Sequence, residues 1–141
     1  MIDHTSVAVK DFELSLKFYD ETFKILGYAR AMTFEFPIPG TAKMLRLASW
    51  GQNGKASFWI SSMGRKQGEE VGRASGLHFA FQAPNAESVD AWHKKCLELG
   101  GQDNGGPGLR VHYHPGYYAA FIADPNGWRI EAVIHDYKQS N

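Results

Sequence analysis

Cysteine is almost missing from this chain. Cys96 is the only one in 141 residues, which excludes an internal disulfide and fits a reducing compartment. It falls late in a helical pattern, where it reads as a small helix filler rather than a reactive thiol. Net charge is missing too: 15 Lys and Arg balance 15 Asp and Glu. Binding to nucleic acid wants a basic excess that displaces counterions, so that class is set aside. Arg65-Lys66 and Lys94-Lys95 are the nearest basic clusters, and they read as solvated surface. No apolar run approaches the ~18 residues of a membrane span. The opening Met1-Ile-Asp-His4 lacks the basic and apolar regions of a signal peptide. The expectation is a soluble, cytoplasmic protein with no nucleic-acid or membrane partner.

What the chain does have is a repeat. His4-Thr-Ser-Val-Ala-Val9 leads into a helical stretch ending at Leu26-Gly27, and His78-Phe-Ala-Phe-Gln-Ala83 leads into another ending at Gly100-Gly101. With His4 laid on His78, Phe18 falls on Trp92, Phe23 on Leu97, Ile25 on Leu99 and Gly27 on Gly101. A duplicated strand–helix unit is an architectural signal. A chain of this length buries roughly 68–70% of its unfolded surface, enough for a real core.

Residues 2–9 alternate at the period of a strand. Asp11 caps a helix from about Phe12 to Leu26, with Leu14, Phe18 and Ile25 on one side and Gly27 as its stop. Strands are expected at Tyr28–Glu35, Lys43–Trp50 and Ala56–Ser62, separated by Pro/Gly turn signals. Residues 63–75 are charged, Gly-rich and aperiodic, and read as a linker. The second copy gives a strand at Gly76–Gln82, then a helix over Ala86–Leu99 capped by Asn85. A glycine-rich connection from Gly100 to Gly108 follows, then strands at Leu109–Tyr113, Tyr117–Ala123 and Trp128–Ile134. Asp124-Pro-Asn-Gly127 is a hairpin signal. The expected organisation is a first module at 1–62, the linker at 63–75, a second module at 76–135 and a tail at 136–141. The fold class is α+β: two βαβββ modules forming a curled mixed sheet around a central metal cleft.

Each helix should cover the apolar face of its sheet, made by Val7, Val9, Phe58, Ile60, Leu77, Phe79, Phe81, Trp128, Ile130 and Ala132. The other face carries His4, Ser6, Ala8, Ser57, Trp59, Ser61, His78, Ala80, Gln82, Arg129, Glu131 and Val133. That mixture of polar and small residues lines a cavity better than it fills a core. His4, His78 and Glu131 all fall there. Two imidazoles and a carboxylate on one face of a cation suit Fe(II), Mn, Ni or Zn with open positions for substrate.

Asp3-His4 before a Val-rich strand, Phe18-Tyr19 in the first helix, and Tyr117-Tyr-Ala-Ala-Phe-Ile-Ala-Asp-Pro-Asn-Gly-Trp-Arg-Ile-Glu131 together resemble the vicinal oxygen chelate superfamily. That superfamily holds glyoxalase I, extradiol dioxygenases, fosfomycin-modifying enzymes and bleomycin-resistance proteins. The resemblance covers essentially the whole chain, and its Asp-Pro-x-Gly-x-x-Ile-Glu hairpin places the family's final metal carboxylate on Glu131. It implies one divalent metal ion, a small substrate that chelates it through adjacent oxygens, and a homodimer.

Within that family, glyoxalase I is expected to bring a further carboxylate ligand on the last strand of the first module. Here Ser57 or Trp59 holds the place, so the resemblance points away from authentic lactoylglutathione lyase. A dioxygenase-like enzyme wants a His or Tyr base beside the metal, and His112, His114, Tyr117 and Tyr118 lie close enough in sequence. Glu131, His114 and Tyr118 are the candidate catalytic groups; Trp59, Arg110, Tyr117, Phe121 and Arg129 are candidate pocket residues. A fosfomycin-type thiol transferase would need a cationic grip, for which Arg46, Arg110 and Arg129 are scattered candidates. A metal-free protein that sequesters a ligand, as bleomycin-resistance proteins do, is the alternative reading. Short glyoxalase-like proteins that share Gly105-Gly-Pro-Gly-Leu-Arg110 and His114-Pro-Gly-Tyr-Tyr118 are the nearest in pattern. His93, at the place Tyr19 holds in the first helix, is expected at the surface.

Overall fold

A computed structural model describes residues 1–62 and 76–138. The expected linker at 63–75, and residues 139–141 of the expected tail, lie outside them. The element order is β1 (Thr5–Val9), α1 (Phe12–Ile25), β2 (Ala29–Pro37), β3 (Met44–Gly51), β4 (Phe58–Ser62), β5 (His78–Gln82), α2 (Ala86–Glu98), β6 (Gln102–Leu109), β7 (Tyr118–Ala123) and β8 (Arg129–Ile134). The strands form two four-stranded sheets, ordered β1-β4-β3-β2 and β5-β8-β7-β6. In each, the first pair is parallel and the others antiparallel. Both copies are therefore βαβββ modules in an α+β fold. By backbone contacts the chain divides into a unit of Met1–Phe23 with Tyr28–Gly72 and a unit of Lys24–Gly27 with Arg73–Asn141. Among the described residues no helix is long and apolar enough to cross a membrane.

In the first unit the core is aromatic. Asp11 accepts from the Leu14 backbone N–H at 3.0 Å and starts α1. The helix then buries Phe12, Phe18, Tyr19 and Phe23. Tyr19 and Phe23 lie at ring-centroid distances of 5.0–5.9 Å from each other, Trp50 and Phe58, within the range of favourable ring pairs. Leu14, expected on the buried side, is exposed; the stripe instead runs one step round, through Ser15, Tyr19 and Thr22.

The second unit is built from smaller pieces. Asn85 Oδ1 accepts from the Ser88 N–H at 2.8 Å and caps α2. Val89, Trp92, His93 and Cys96 are the buried side of that helix, which lies close over β6, β7 and β8. Ala119, Ala120 and Ala132 in the sheet are fully buried, and such small residues let a helix approach. His93 is buried, not at the surface, and its Nε2 pairs with Asp103 Oδ1 at 2.9 Å. That bond lets an imidazole occupy the buried place Tyr19 has in α1.

The glycine-rich connection is also corrected. Residues 102–109 are an edge strand, irregular between Asp103, Gly105 and Gly108, and Pro107 is tolerated because an edge strand need not donate on both sides. A Cβ on Gly105 would stand 3.2 Å from the Phe121 ring, and one on Gly108 would stand 2.8 Å from Arg110. The glycines leave that space to two large neighbours. The strand expected at Leu109–Tyr113 ends at Leu109, and the Tyr113 N–H then donates to the Arg110 carbonyl at 2.9 Å in a turn.

Candidate functional site in the second module

The Asp124-Pro-Asn-Gly127 turn aims β8. Asp124 Oδ1 accepts from the backbone of Asn126 at 2.9 Å and Trp128 at 2.7 Å, while Gly127 takes φ 84°, open to glycine at little cost. The strand then alternates. Ile130 and Ala132 pair with Ile122 and Ala120, and Glu131 pairs with Phe121. On the other side His78 pairs with Arg129, and Ala80 with Glu131. His78, Arg129, Glu131 and Phe121 thus share the face away from the apolar pairs.

That face floors a cavity of about 480 Å³ lined by Gly76, His78, Asn104, Tyr113, Tyr117, Phe121, Arg129, Ile130 and Glu131. Glu131 is 1% exposed. A buried carboxylate is costly unless it is partnered, and this one has two partners. The Tyr117 hydroxyl donates to Oε1, and His78 Nε2 stands 3.3 Å from Oε2. Burial, followed by the bond to Glu131 and its charge, pushes the Tyr117 phenol up from its ordinary value, so it stays a donor. The His78 side chain is 52% exposed, so the pair runs from the interior to the open side.

Placement of the other candidates follows from strand alternation and loop geometry. Tyr118 is one residue from Tyr117 and pairs with Ile134, which puts it on the face toward α2. Its hydroxyl donates to Asp90 Oδ1 at 2.7 Å, and burial with that carboxylate pushes its phenol up to about 12. It does not meet Glu131. His114 is turned to His135, Nε2 to Nδ1 at 2.9 Å, and to the Pro115 carbonyl at 2.7 Å. Its ring lies against Tyr117, and it is not among the cavity-lining residues. Arg110 donates to the Gly106 carbonyl at 2.6 Å and lies over the Phe121 ring, so it supports the wall from outside. Asn104 and Tyr113 line the cavity although neither stands out in the sequence: Asn104 falls in the expected glycine-rich connection and Tyr113 at the end of an expected strand.

In the first unit, His4 Nδ1 is 2.8 Å from Asp3 Oδ1. The His4 bond, then the charge of Lys55, lowers the Asp3 carboxyl. A carboxylate on Nδ1 fixes the tautomer that leaves Nε2 for a ligand. Trp59 pairs with Ser6, as Glu131 pairs with Ala80. Given the repeat, in which Ser6 falls on Ala80, Trp59 holds the place of Glu131. It lies parallel to Phe34, interplanar angle 10° and centroids 6.1 Å apart. Arg46 is taken by Glu13 and Glu35, each at 2.6 Å, which leaves it poorly suited to gripping an anion.

A family model for the Glyoxalase/Bleomycin resistance protein/Dioxygenase superfamily matches residues 1–132. This chain belongs to that superfamily. A glyoxalase/bleomycin resistance protein from Albidiferax ferrireducens T118 is similar over 93% of this chain and 96% of its own, at 26% identity and a TM-score of 0.70. Glyoxalase I from Zea mays shares the fold at 22% identity and a TM-score of 0.65, over 94% of this chain but only 45% of the maize protein. A glyoxalase-related enzyme from Fulvimarina pelagi shares it at 21% identity and a TM-score of 0.65, over 94% of this chain and 86% of its own. No curated protein matches the chain.

Proposed function

We propose that this chain is a divalent-metal-dependent enzyme acting on a small substrate that offers two adjacent oxygens to the ion. It is glyoxalase- or dioxygenase-like, and not an authentic lactoylglutathione lyase. The observation that carries the reading is the His78–Glu131 pair on the cavity floor. Neighbouring donors on one ion at bonds of ~2.1 Å lie about 3 Å apart, and His78 Nε2 and Glu131 Oε2 are 3.3 Å apart. His78 and Glu131 would hold the ion, and an imidazole with a carboxylate suits Fe, Mn, Ni or Zn; His4, the third ligand expected from the sequence, belongs to the first unit. When bound, the ion would polarise the substrate oxygens as a Lewis acid.

The chain's own groups divide the remaining work. Glu131 supplies the negative charge and, being buried, supplies it away from water. Tyr113 and Phe121 give flat apolar walls, and Asn104 offers both a donor and an acceptor. Arg129 lines the cavity and is exposed, where its guanidinium can meet an anionic substituent. The protein works as a homodimer in this reading, which size measurement in solution checks.

Two observations favour the alternative, a metal-free ligand-sequestering protein. Among the described residues no group of three or more His, Cys, Asp and Glu gathers, and the cavity walls are aromatic. Metal analysis separates the readings. The protein loaded with Fe(II), Mn(II), Ni(II) or Zn(II) should retain an ion that His78→Ala loses. Equal retention in the two proteins, or none in either, sinks the enzyme reading, and a ligand bound without metal supports the alternative.

A further inference from the structure

We infer that Tyr117 is a positioning residue for Glu131: its hydroxyl claims Oε1, so the carboxylate presents a single oxygen, Oε2, beside His78. The inference rests on the metal reading of that pair.

An ionised carboxylate only accepts, through two oxygens that can exchange places by rotation about the last side-chain bond. Left alone, Glu131 could offer both oxygens to one ion or turn either one to His78. The Tyr117 donor breaks that equivalence. Because Glu131 is 1% exposed, water is a poor substitute for the lost bond.

Tyr117 is itself held by rings and backbone. Tyr113, His114 and His135 meet its ring at 5.0–5.3 Å and steep angles of 69–86°. His114 is tethered in turn: with its Nδ1–H given to the Pro115 carbonyl, neutral His114 accepts at Nε2 from His135. The loop backbone closes around these groups. The Arg110 N–H donates to the Tyr117 carbonyl at 2.7 Å, the Tyr117 N–H to the His114 carbonyl at 3.2 Å, and the Tyr137 N–H to the Gly116 carbonyl at 3.0 Å. Residues 110–117 and 135–137 thus act as a bracket whose product is one phenol placed on one carboxylate oxygen. This gives His114 and His135 a function without any contact with substrate. Partners of this kind that orient a metal ligand are worth about 10–100-fold in metal affinity.

The test is a titration of cobalt(II) alone into metal-free wild type, Tyr117→Phe and His78→Ala, followed by calorimetry and by the visible cobalt bands. Tyr117→Phe is expected to bind about 10–100-fold more weakly than wild type, with bands altered because Glu131 is free to engage through both oxygens. A merely structural Tyr117 would lower the melting temperature of the metal-free protein and leave those bands unchanged. Wild-type affinity and bands in Tyr117→Phe, with binding lost in His78→Ala, overturn the inference alone. Cobalt bound equally by wild type and His78→Ala, or by neither, overturns the metal reading and this inference with it. Should Tyr117→Phe not fold, His135→Ala decides: the exposed imidazole can be removed from the bracket, and a smaller loss of affinity is expected. No change there overturns the inference.

Discussion

Trp59 on β4 and Glu131 on β8 hold the same place in the two modules, and almost everything that distinguishes the modules chemically starts from that pair. Both lie on a strand that is parallel to the first strand of its module and antiparallel to the third. One position carries an indole stacked on Phe34. The other carries a buried carboxylate between a tyrosine and a histidine. The cores differ in the same sense. Rings fill the space under α1, whereas alanines let α2 settle onto its sheet. A duplicated fold therefore keeps its hydrogen-bond ladder while packing and polarity drift apart, because the ladder is written in the backbone and the rest in side chains.

The comparison can be broken first in the cores. Trp50 and Trp92 are both fully buried, and replacing either by alanine should cost about 3–5 kcal/mol. Denaturant unfolding of each variant measures this. Trp59→Ala should cost less than either, since Trp59 is only half-buried; an equal cost would mean that the indole is core and not wall.

Next in size is the chemistry. Glu131→Gln keeps the shape and removes the charge of a proposed ligand, and should lower divalent-ion affinity by at least the ~100-fold, roughly 2.7 kcal/mol, that loss of an outer-shell partner can cost. Trp59→Gln should leave that affinity unchanged. Calorimetric titration of both variants with Mn(II) reads the contrast directly, and equal losses would erase the asymmetry between the modules.

Smaller again are the helix starts. Asp11 and Asn85 cap α1 and α2 through one bond each, at 3.0 and 2.8 Å, and alanine at either should cost about 1 kcal/mol. Matching losses would show that the modules agree at the level of local structure.

The smallest effect concerns Cys96, at the place of Thr22. Burial, then the charge of Asp124, pushes its thiol well above its ordinary value. It should stay unreactive to a thiol reagent until the protein unfolds. The native state holds this proton more tightly than the unfolded chain. Its contribution is therefore fully present at neutral pH and fades as pH rises past the ordinary thiol range. Cys96→Thr should flatten that alkaline decline.

Much of this was legible in the residues. The repeat, both helices with their caps and the Asp124–Gly127 turn all rest on local periodicity or local hydrogen bonds, and each left a pattern a few residues long. The edge strand at 102–109 left none, because its glycines make room for Phe121, which is distant in sequence, and for the Arg110 side chain that lies over the Phe121 ring. Tyr117 and Tyr118 look interchangeable in the chain. A shift of one residue sends them to opposite faces, one to Glu131 and the other to Asp90, and only the pairing of β7 with β8 says which goes where. Nothing near His93 in the chain marks it as buried, because its partner Asp103 lies on that same edge strand.

The sequence by itself determined the two βαβββ modules, the superfamily, and the placing of His78 and Glu131 on the same face of their strands, since strand period and turn chemistry act over neighbouring residues. Only the tertiary structure decided that Glu131 is buried, that Tyr117 takes one of its oxygens and that Trp59 stands in its place in the first module. Those facts depend on strand register and loop closure, which bring together groups that no local pattern links.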